Sequence, residues 1–346
     1  MAKYRIFIGT YSKGPGKGLL GGEFDSATGE IRLGDALDIE NPSYMQISPY
    51  NDGVLYGVSE TTEYCGENGG ALFSVDISDP GKMRLIDTKG TRGKLPCHLC
   101  AVDNLVFTAN YSDGSLGIIE TDRAGNISPI YRAISHFGRG PNAARQEAAH
   151  THFVSLTPDG KYLALCDLGL DGVFLYPYKT ETGLSANAKI IGCPPGSGPR
   201  HLAFSADGKY MYVLTELAST VLVYGYRDGN CVPLQEISCL PGYVRESAAA
   251  AIHISPDGTL LAASNRGADC LAVFDIKGDG RLGLSGYIEN QKTPRDFNFS
   301  PDGNFLVSAH QDGDKIEVFR IENGGFAKVG ETGAWAPVCI LFGGQI

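Results

Sequence analysis

Short apolar stretches alternate with turn residues along the whole chain, and one arrangement returns several times. In "GPRHLAFSADGKYMYVLTE" an apolar strand leads to an Asp-Gly turn, and a second apolar strand follows. "HTHFVSLTPDGKYLALCDLG", "AAIHISPDGTLLAASNRG" and "TPRDFNFSPDGNFLVSAHQDG" repeat it, while "NPSYMQISPYNDGVLYGVSE" and "LPCHLCAVDNLVFTANYSDG" are weaker copies. Glycine supplies the positive φ that a tight hairpin turn requires. The pattern therefore predicts one β-hairpin that is repeated six times.

Each hairpin is followed by a third strand, as in "STVLVYGYR" and "DKIEVFRIE", and by a weaker fourth, as in "GRLGLSGYIE". Equivalent positions recur every 45 to 55 residues, at Pro42, Pro96, Thr151, Pro199, Ala249 and Pro294. Four strands per repeat, with almost no helical periodicity, are typical of β-propeller blades.

The two ends of the chain supply a seventh blade. "APVCILF" (336–342) resembles a first strand, and "YRIFIGTYS" (4–12) resembles a second strand. Their pairing would close the ring and remove an open sheet edge. We therefore predict an all-β fold, a seven-bladed β-propeller with four-stranded antiparallel blades, as a single domain over residues 1–346. Two stacked β-sandwiches are the alternative, which the repeat disfavours.

Composition and charge narrow the possible partners and locations. The chain is 42% hydrophobic and 20% charged, as expected for a globular protein, and its formal net charge of −10 without a Lys/Arg run argues against nucleic acid. No apolar run reaches the length of a membrane span and no secretory signal is visible, so we expect no membrane association. Nine cysteines, with no second CxxC pair beside "CHLC" (97–100), favour a reducing, cytoplasmic location. "CHLC" (97–100) lacks the second pair that a zinc site would need.

Polar residues interrupt the apolar pattern at the ends of the predicted inner strands. In an antiparallel hairpin the start of the first strand lies beside the end of the second, so both ends should meet at one mouth of the central channel. The residues at these positions are His152, Arg200, Ala250 and Arg295 at the starts, Asn110, Asp167, Thr215, Asn265 and His310 at the ends, and Glu60, Leu168, Glu216, Arg266 and Gln311 one position further. Such residues indicate either a binding site or a structural hydrogen-bond network. The arginines favour an anionic ligand, because guanidinium binds phosphate or carboxylate through two hydrogen bonds.

At these residues the chain resembles the bacterial 6-phosphogluconolactonase family of seven-bladed propellers, which is related to the fungal carboxymuconate cyclases. The resemblance covers essentially the whole chain and rests on "HTHFVSLTPDGKYLALCDLGLD", "GPRHLAFSADGKYMYVLTEL", "SPDGTLLAASNRGAD" and "TPRDFNFSPDGNFLVSAHQ". It implies hydrolysis of 6-phospho-D-glucono-1,5-lactone to 6-phosphogluconate, a step of the oxidative pentose phosphate pathway. It also implies an active site made of His152 (or its neighbour His150), Arg200, Glu216 and Arg266.

Hydrolysis of a lactone requires a base that activates water and donors for the developing oxyanion. Glu216 or His152 can be the base, and Arg200 can stabilise the oxyanion. Arg266 and Arg295, with His201, would hold the phosphate. The other candidate substrate contacts are His150, Asp167, Asn110 and His310.

The sequence also bears on cofactors, metals, a possible lid and other functions. We expect no organic cofactor, because no glycine-rich phosphate loop occurs, and no metal, because the mouth carries more base than acid. The polar segment 138–149 precedes the strand that begins at Thr151, in the fourth blade when the blade formed by the two chain ends is counted first, and is a candidate lid. The alternatives are another lactonase or a carboxymuconate-type lactonising cycloisomerase, and a propeller that binds partners without catalysis.

Overall fold

The computed structural model describes residues 2–16, 18–180, 183–242, 244, 247–289, 291–322 and 324–346. Within these ranges the chain forms β-strands joined by turns and contains no helix. None of these segments is therefore a helix that could cross a membrane.

The described residues form 31 strands. In chain order they are β1 (Lys3–Thr10), β2 (Leu19–Asp25), β3 (Ile31–Leu37), β4 (Pro42–Ile47), β5 (Val54–Ser59), β6 (Glu63–Tyr64), β7 (Glu67–Asn68), β8 (Ala71–Asp79), β9 (Lys82–Gly90), β10 (Pro96–Val102), β11 (Leu105–Asn110), β12 (Ser115–Thr121), β13 (Ile127–Ser135), β14 (Thr151–Leu156), β15 (Tyr162–Asp167), β16 (Gly172–Lys179), β17 (Gly183–Leu184), β18 (Lys189–Gly192), β19 (Pro199–Phe204), β20 (Tyr210–Thr215), β21 (Thr220–Arg227), β22 (Asn230–Ser238), β23 (Ala248–Ile254), β24 (Leu260–Arg266), β25 (Cys270–Ile276), β26 (Leu282–Ile288), β27 (Pro294–Phe299), β28 (Phe305–His310), β29 (Lys315–Glu322), β30 (Gly325–Gly333) and β31 (Pro337–Gln345).

Six sheets are built from strands that follow one another along the chain; five have four strands, and the sheet of β14 has a fifth, β17. Their orders are β4-β5-β8-β9, β10-β11-β12-β13, β14-β15-β16-β18, β19-β20-β21-β22, β23-β24-β25-β26 and β27-β28-β29-β30, and we number them blades 1 to 6. Their strand pairs are antiparallel, as in β19 with β20. The short hairpin β6–β7 is inserted in blade 1, and β17 adds to β16 in blade 3.

Blade 7 joins the two ends of the chain. Its order is β3-β2-β1-β31, so the C-terminal strand is the innermost strand and pairs antiparallel with β1. Ile8 lies opposite Ile340 in this pair, and both side chains are buried. The predicted seven-bladed propeller, closed by its terminal strands, is confirmed.

The Asp-Gly turns close the inner hairpins through one repeated set of contacts. In blade 5 the Asp257 carboxylate accepts hydrogen bonds from the Ser255 hydroxyl and, at 3.1 Å, from the Thr259 amide. The following glycine has φ between 67° and 74° in four blades, at Gly160, Gly208, Gly258 and Gly303. A side chain is strained at this φ, which explains the recurring glycine.

The hydrophobic core is divided into layers between neighbouring blades. Phe107 of blade 2 packs in one cluster with Leu165 of blade 3, and Phe24 of blade 7 meets Phe305 of blade 6 edge to face, with ring centroids 5.4 Å apart. Each blade packs against two neighbouring blades. Because the ring is closed, no blade has a face without a neighbour.

Candidate active site

Each innermost strand contains a β-bulge near its start. In blade 4, Pro199 pairs with Thr215 and His201 pairs with Leu214, so Arg200 has no cross-strand partner. A bulge redirects the side chain of the extra residue. We call the residues at these positions the bulge ring: Ser43, Cys97, His152, Arg200, Arg295 and Val338, with Ala250 and Ala251 in the irregularity of blade 5.

A second ring lies where each second strand leaves its blade. We call it the exit ring, and its members are Tyr11, Glu60, Tyr111, Leu168, Glu216, Arg266 and Gln311. Arg295 of blade 6 reaches Glu60 of blade 1 at 3.4 Å, which shows that side chains from separate blades meet across the mouth. The two rings together form the polar mouth.

Three residues predicted to contact substrate lie elsewhere. Asn110 donates to the Ser115 hydroxyl at 3.0 Å, Asp167 bonds His136 at 2.6 Å, and His310 bonds Gln291 at 2.8 Å. All these bonds lie within or beside the residue's own blade, and all three side chains are buried. Successive side chains of a strand point to opposite faces, so a residue one position before the exit ring points into its blade. These contacts favour the structural hydrogen-bond network over substrate contact at Asn110, Asp167 and His310, whose role in binding stays a prediction.

Glu216 is the central carboxylate of the mouth. Its Oε2 lies 2.9 Å from Arg200 Nε and 2.9 Å from Arg266 Nη2, and its Oε1 forms an ion pair with Arg145. The Arg200 contact is an ion pair without an aligned N–H···O bond. Blades 4 and 5 and the segment 138–149 thus converge on one side chain.

A run of alanines at the start of β23 anchors two of these arginines. Arg266 donates to the carbonyls of Ala248 at 3.2 Å and Ala249 at 3.1 Å, and Arg200 donates to the carbonyl of Ala250. Small side chains leave the backbone carbonyls accessible to guanidinium groups. The apolar run of blade 5 therefore positions charges of the mouth.

The charges of this cluster act strongly on one another. Burial alone would raise the pKa of Glu216, but Arg266, Arg200 and Arg145 lower it to about 2. Burial, followed by repulsion from Arg266 and Arg295, lowers the pKa of Arg200 to about 9. At neutral pH Glu216 is therefore ionised and Arg200 is charged, although both are buried.

Arg295 belongs to a second ion cluster on the other side of the mouth. Its Nη2 lies 3.4 Å from Glu60 Oε2, the same oxygen accepts a 3.0 Å hydrogen bond from the Tyr11 hydroxyl, and the guanidinium carbon lies 5.1 Å from the centre of the Tyr11 ring. Burial raises the pKa of Tyr11, so the phenol remains a donor. Blades 6, 7 and 1 meet here.

The two neighbouring histidines have different surroundings. His150 bonds the Tyr111 carbonyl at 3.0 Å and Glu147 at 3.2 Å, and its ring stacks on Tyr111. His152 belongs to the bulge ring, and its buried Nδ1 has no partner within the protein. Burial, and then the charges of Arg200, Arg295 and Arg266, hold the pKa of His152 well below 6.5. His152 is thus a neutral imidazole beside the arginines.

His201 follows Arg200 in β19 and is also buried. Its Nε2 accepts a hydrogen bond from Arg200 Nη1 at 3.1 Å, and its ring is 5.2 Å from Phe153 and 5.4 Å from His98. Burial and the charge of Arg200 hold its pKa well below 6.5, so it is neutral. The structure places this histidine against Arg200, and its predicted contact with the phosphate stays a prediction.

Unpaired buried polar atoms are concentrated in this region. Among the described residues, eight such side-chain atoms lack a hydrogen-bond partner within the protein, and four belong to the first residues of the inner strands: Ser43 Oγ, His98 Nε2, His152 Nδ1 and Arg200 Nε. Buried polar groups are normally paired, and exceptions require an explanation such as a functional role. No group of three potential metal ligands occurs among the described residues.

Sequence reasoning missed one residue in each of the two ion clusters, Tyr11 and Arg145. Tyr11 could have been found, because it holds the same register position as Glu60 and Glu216 in the blade that the two ends form. Arg145 could not, because it lies in a segment that has no counterpart in the other repeats.

Comparison with known proteins identifies the family. Residues 5–342 match the family described as "Lactonase, 7-bladed beta-propeller". The chain belongs to this lactonase family. The polar mouth is accordingly the candidate active site of a lactonase.

Named relatives agree with this assignment. The chain is 34% identical over 312 residues to the 6-phosphogluconolactonase of Bacillus subtilis, covering 86% of both chains, and 35% identical over 307 residues to that of Formosa agariphila, covering 84% and 85%. Among solved structures, the periplasmic gluconolactonase PpgL of Pseudomonas aeruginosa superposes with a TM-score of 0.91 at 30% identity, over 99% of each chain. A Bacteroides fragilis protein crystallised as a candidate 6-phosphogluconolactonase gives a TM-score of 0.93 at 31% identity, over 99% and 98%.

Proposed function

We propose that this lactonase hydrolyses 6-phospho-D-glucono-1,5-lactone to 6-phosphogluconate, the lactone-opening step of the oxidative pentose phosphate pathway. The observation that carries the proposal is the charge of the mouth. Among the described residues, the two ion clusters pair four arginines, Arg145, Arg200, Arg266 and Arg295, with two glutamates, Glu60 and Glu216, an excess of two positive charges in a chain of net charge −10. A phosphate monoester carries about −1.5 to −2 charges at pH 7, which matches this excess.

The four arginines differ in how deeply they are buried, and this order suggests an orientation for the substrate in the mouth. The exposed fraction of the side chain rises from 3% in Arg200 through 14% in Arg295 and 18% in Arg266 to 40% in Arg145. The lactone carbonyl would face Arg200 and His152 at the buried end. Arg266 and Arg295 would bind the phosphorylated side of the substrate nearer to solvent.

In this arrangement His152 is the general base. It removes a proton from a water molecule whose oxygen adds to the lactone carbonyl carbon, and Arg200 stabilises the oxyanion that forms. The bond from that carbon to the ring oxygen then breaks, and the ring oxygen leaves as a hydroxyl with the proton from His152. The product is the open-chain acid.

Glu216 is less suited to be the base. Its two oxygens already bind three arginines, and its pKa of about 2 makes it a weak proton acceptor at neutral pH. Its proposed role is to hold Arg200 and Arg266 in position.

The test is a proton-release assay of purified protein with the phosphorylated and the unphosphorylated gluconolactone. Both lactones open spontaneously, so the measured quantity is the rate above the protein-free rate. We expect a larger kcat/KM for the phosphorylated lactone. A rate equal to the spontaneous one with both lactones would refute the proposal.

Unphosphorylated gluconolactone is the second candidate, because a solved structure with a TM-score of 0.91 is named a gluconolactonase. A preference for this lactone in the same assay would favour it. We further propose a cytoplasmic location, since all nine cysteines are free, as in a reducing compartment.

A further inference from the structure

Segment 138–149 is anchored beside the mouth by one buried glutamine. Gln146 Nε2 donates to the Leu168 carbonyl at 2.9 Å and to Asp171 at 2.8 Å, while its Oε1 accepts from the Asn142 amide at 3.1 Å. Its backbone carbonyl also accepts from the Gly140 amide at 2.9 Å. The side chain is fully buried, so this part of the segment is fixed to blade 3.

This anchor fixes the backbone of the adjacent residue, Arg145. The Arg145 amide donates to the Asn142 carbonyl at 3.1 Å, and its guanidinium reaches across to Glu216 of blade 4. An isolated surface arginine would lose conformational entropy on taking up this position. Because Gln146 holds the backbone, much of that cost is met before any ligand binds.

Two other arginines already neutralise the charge of Glu216. Arg200 and Arg266 already lie 2.9 Å from its Oε2, and both are more buried than Arg145. A third arginine on a carboxylate that is already neutralised adds positive charge at the solvent side of the mouth. That is the place where an incoming anion meets the site first.

We infer that Arg145 is a further residue, beside Arg266 and Arg295, by which the mouth selects a phosphorylated substrate. The inference rests on the proposed function and extends it to segment 138–149, which lies outside the blades. While Arg145 stays beside Glu216, its guanidinium still has N–H groups that can donate to phosphate oxygens. An unphosphorylated lactone would leave these donors without an anion.

The experiment compares the binding of 6-phosphogluconate and gluconate by calorimetry, which needs no turnover. We expect the wild-type protein to bind 6-phosphogluconate more tightly, and Arg145→Ala to reduce this preference about 10- to 100-fold, the value of a charged hydrogen bond. Arg145→Lys should lose part of it, because lysine keeps the charge but not the fork. Arg139→Ala, an exposed arginine of the same segment, is the matched control and should keep the wild-type preference.

The outcomes separate the inference from the proposed function. If Arg145→Ala weakens both ligands equally, or keeps the wild-type preference, the inference is wrong while the proposed function stands. If the wild-type protein itself shows no preference, the phosphorylated substrate is wrong and the inference fails with it. Melting temperatures of both alanine variants show whether a change comes from lost stability, and the lysine variant retains the test if Arg145→Ala does not fold.

Discussion

Replacing Glu216 by glutamine removes the central negative charge of the mouth while keeping its shape. Glu216 is buried among three arginines, and its pKa falls from 4.5 to about 2 in the folded protein. At about 1.4 kcal/mol for each pKa unit, this change corresponds to about 3 kcal/mol of stability at pH 7. Breaking a buried ion pair by removing one partner typically costs about 3–5 kcal/mol, which is consistent.

The pH dependence of this loss follows from the sign of the pKa change. The folded pKa is lower than the unfolded one, so the stabilisation is complete above about pH 4.5 and is lost as the pH falls towards 2. At pH 3 about 2 of the roughly 3 kcal/mol should be gone. The difference between wild type and Glu216→Gln should therefore shrink from about 3 to about 1 kcal/mol between pH 7 and pH 3.

Urea unfolding at a series of pH values measures this difference directly. Glu236→Gln, on the exposed outer strand of the same blade, is the control and should show no comparable loss at any pH. A Glu216→Gln difference that stays constant from pH 7 to pH 3, or that lies below 1 kcal/mol at pH 7 by more than the error of the measurement, would refute the reasoning about the three arginines.

The remaining predictions concern the histidines and the closure of the ring. His152→Ala should lower kcat by about 10²–10⁴-fold, whereas His150→Ala should mainly lower the melting temperature, because His150 holds Tyr111 and Glu147; equal kcat values in the two variants would contradict this assignment. Because the pKa of His152 lies well below 6.5, the acid limb of kcat/KM should also fall below pH 6.5, and a limb at or above 6.5 would argue against His152 as the base. Deleting residues 336–346 removes the innermost strand of blade 7 and exposes the edge of β1, so we expect loss of cooperative unfolding, and a soluble truncated protein with an unchanged melting temperature would disprove the need for closure.

The fold could be predicted because its determinants are local and repeated. An Asp-Gly turn between two apolar runs specifies a hairpin wherever it occurs, and the constant spacing of the copies specifies blades. The closure was predictable for the same reason, since "APVCILF" and "YRIFIGTYS" each lack the partner strand that the other provides.

The candidate site could be predicted only where it follows the repeat. The register of the repeated hairpins alone predicts that Arg200, Glu216 and Arg266 lie at one mouth. In the structure both arginines contact Glu216. Register could not show that Asp167 bonds His136, because His136 follows the outer strand of the preceding blade and lies outside the repeated hairpin. It also gave no information on Arg145, whose position depends on the buried amide of Gln146.

The excess positive charge of the mouth has an energetic cost that bears on catalysis. Burial and neighbouring arginines lower the pKa of Arg200 to about 9, which means that its charged form is destabilised when the mouth holds no anion. Negative charge that appears at the lactone carbonyl during water addition would relieve this destabilisation. Interactions that strengthen as charge develops lower the barrier, whereas those equally strong with the bound substrate do not. The carbonyl of Ala250 and the imidazole of His201 hold Arg200 in place, so the guanidinium needs little rearrangement when the oxyanion forms.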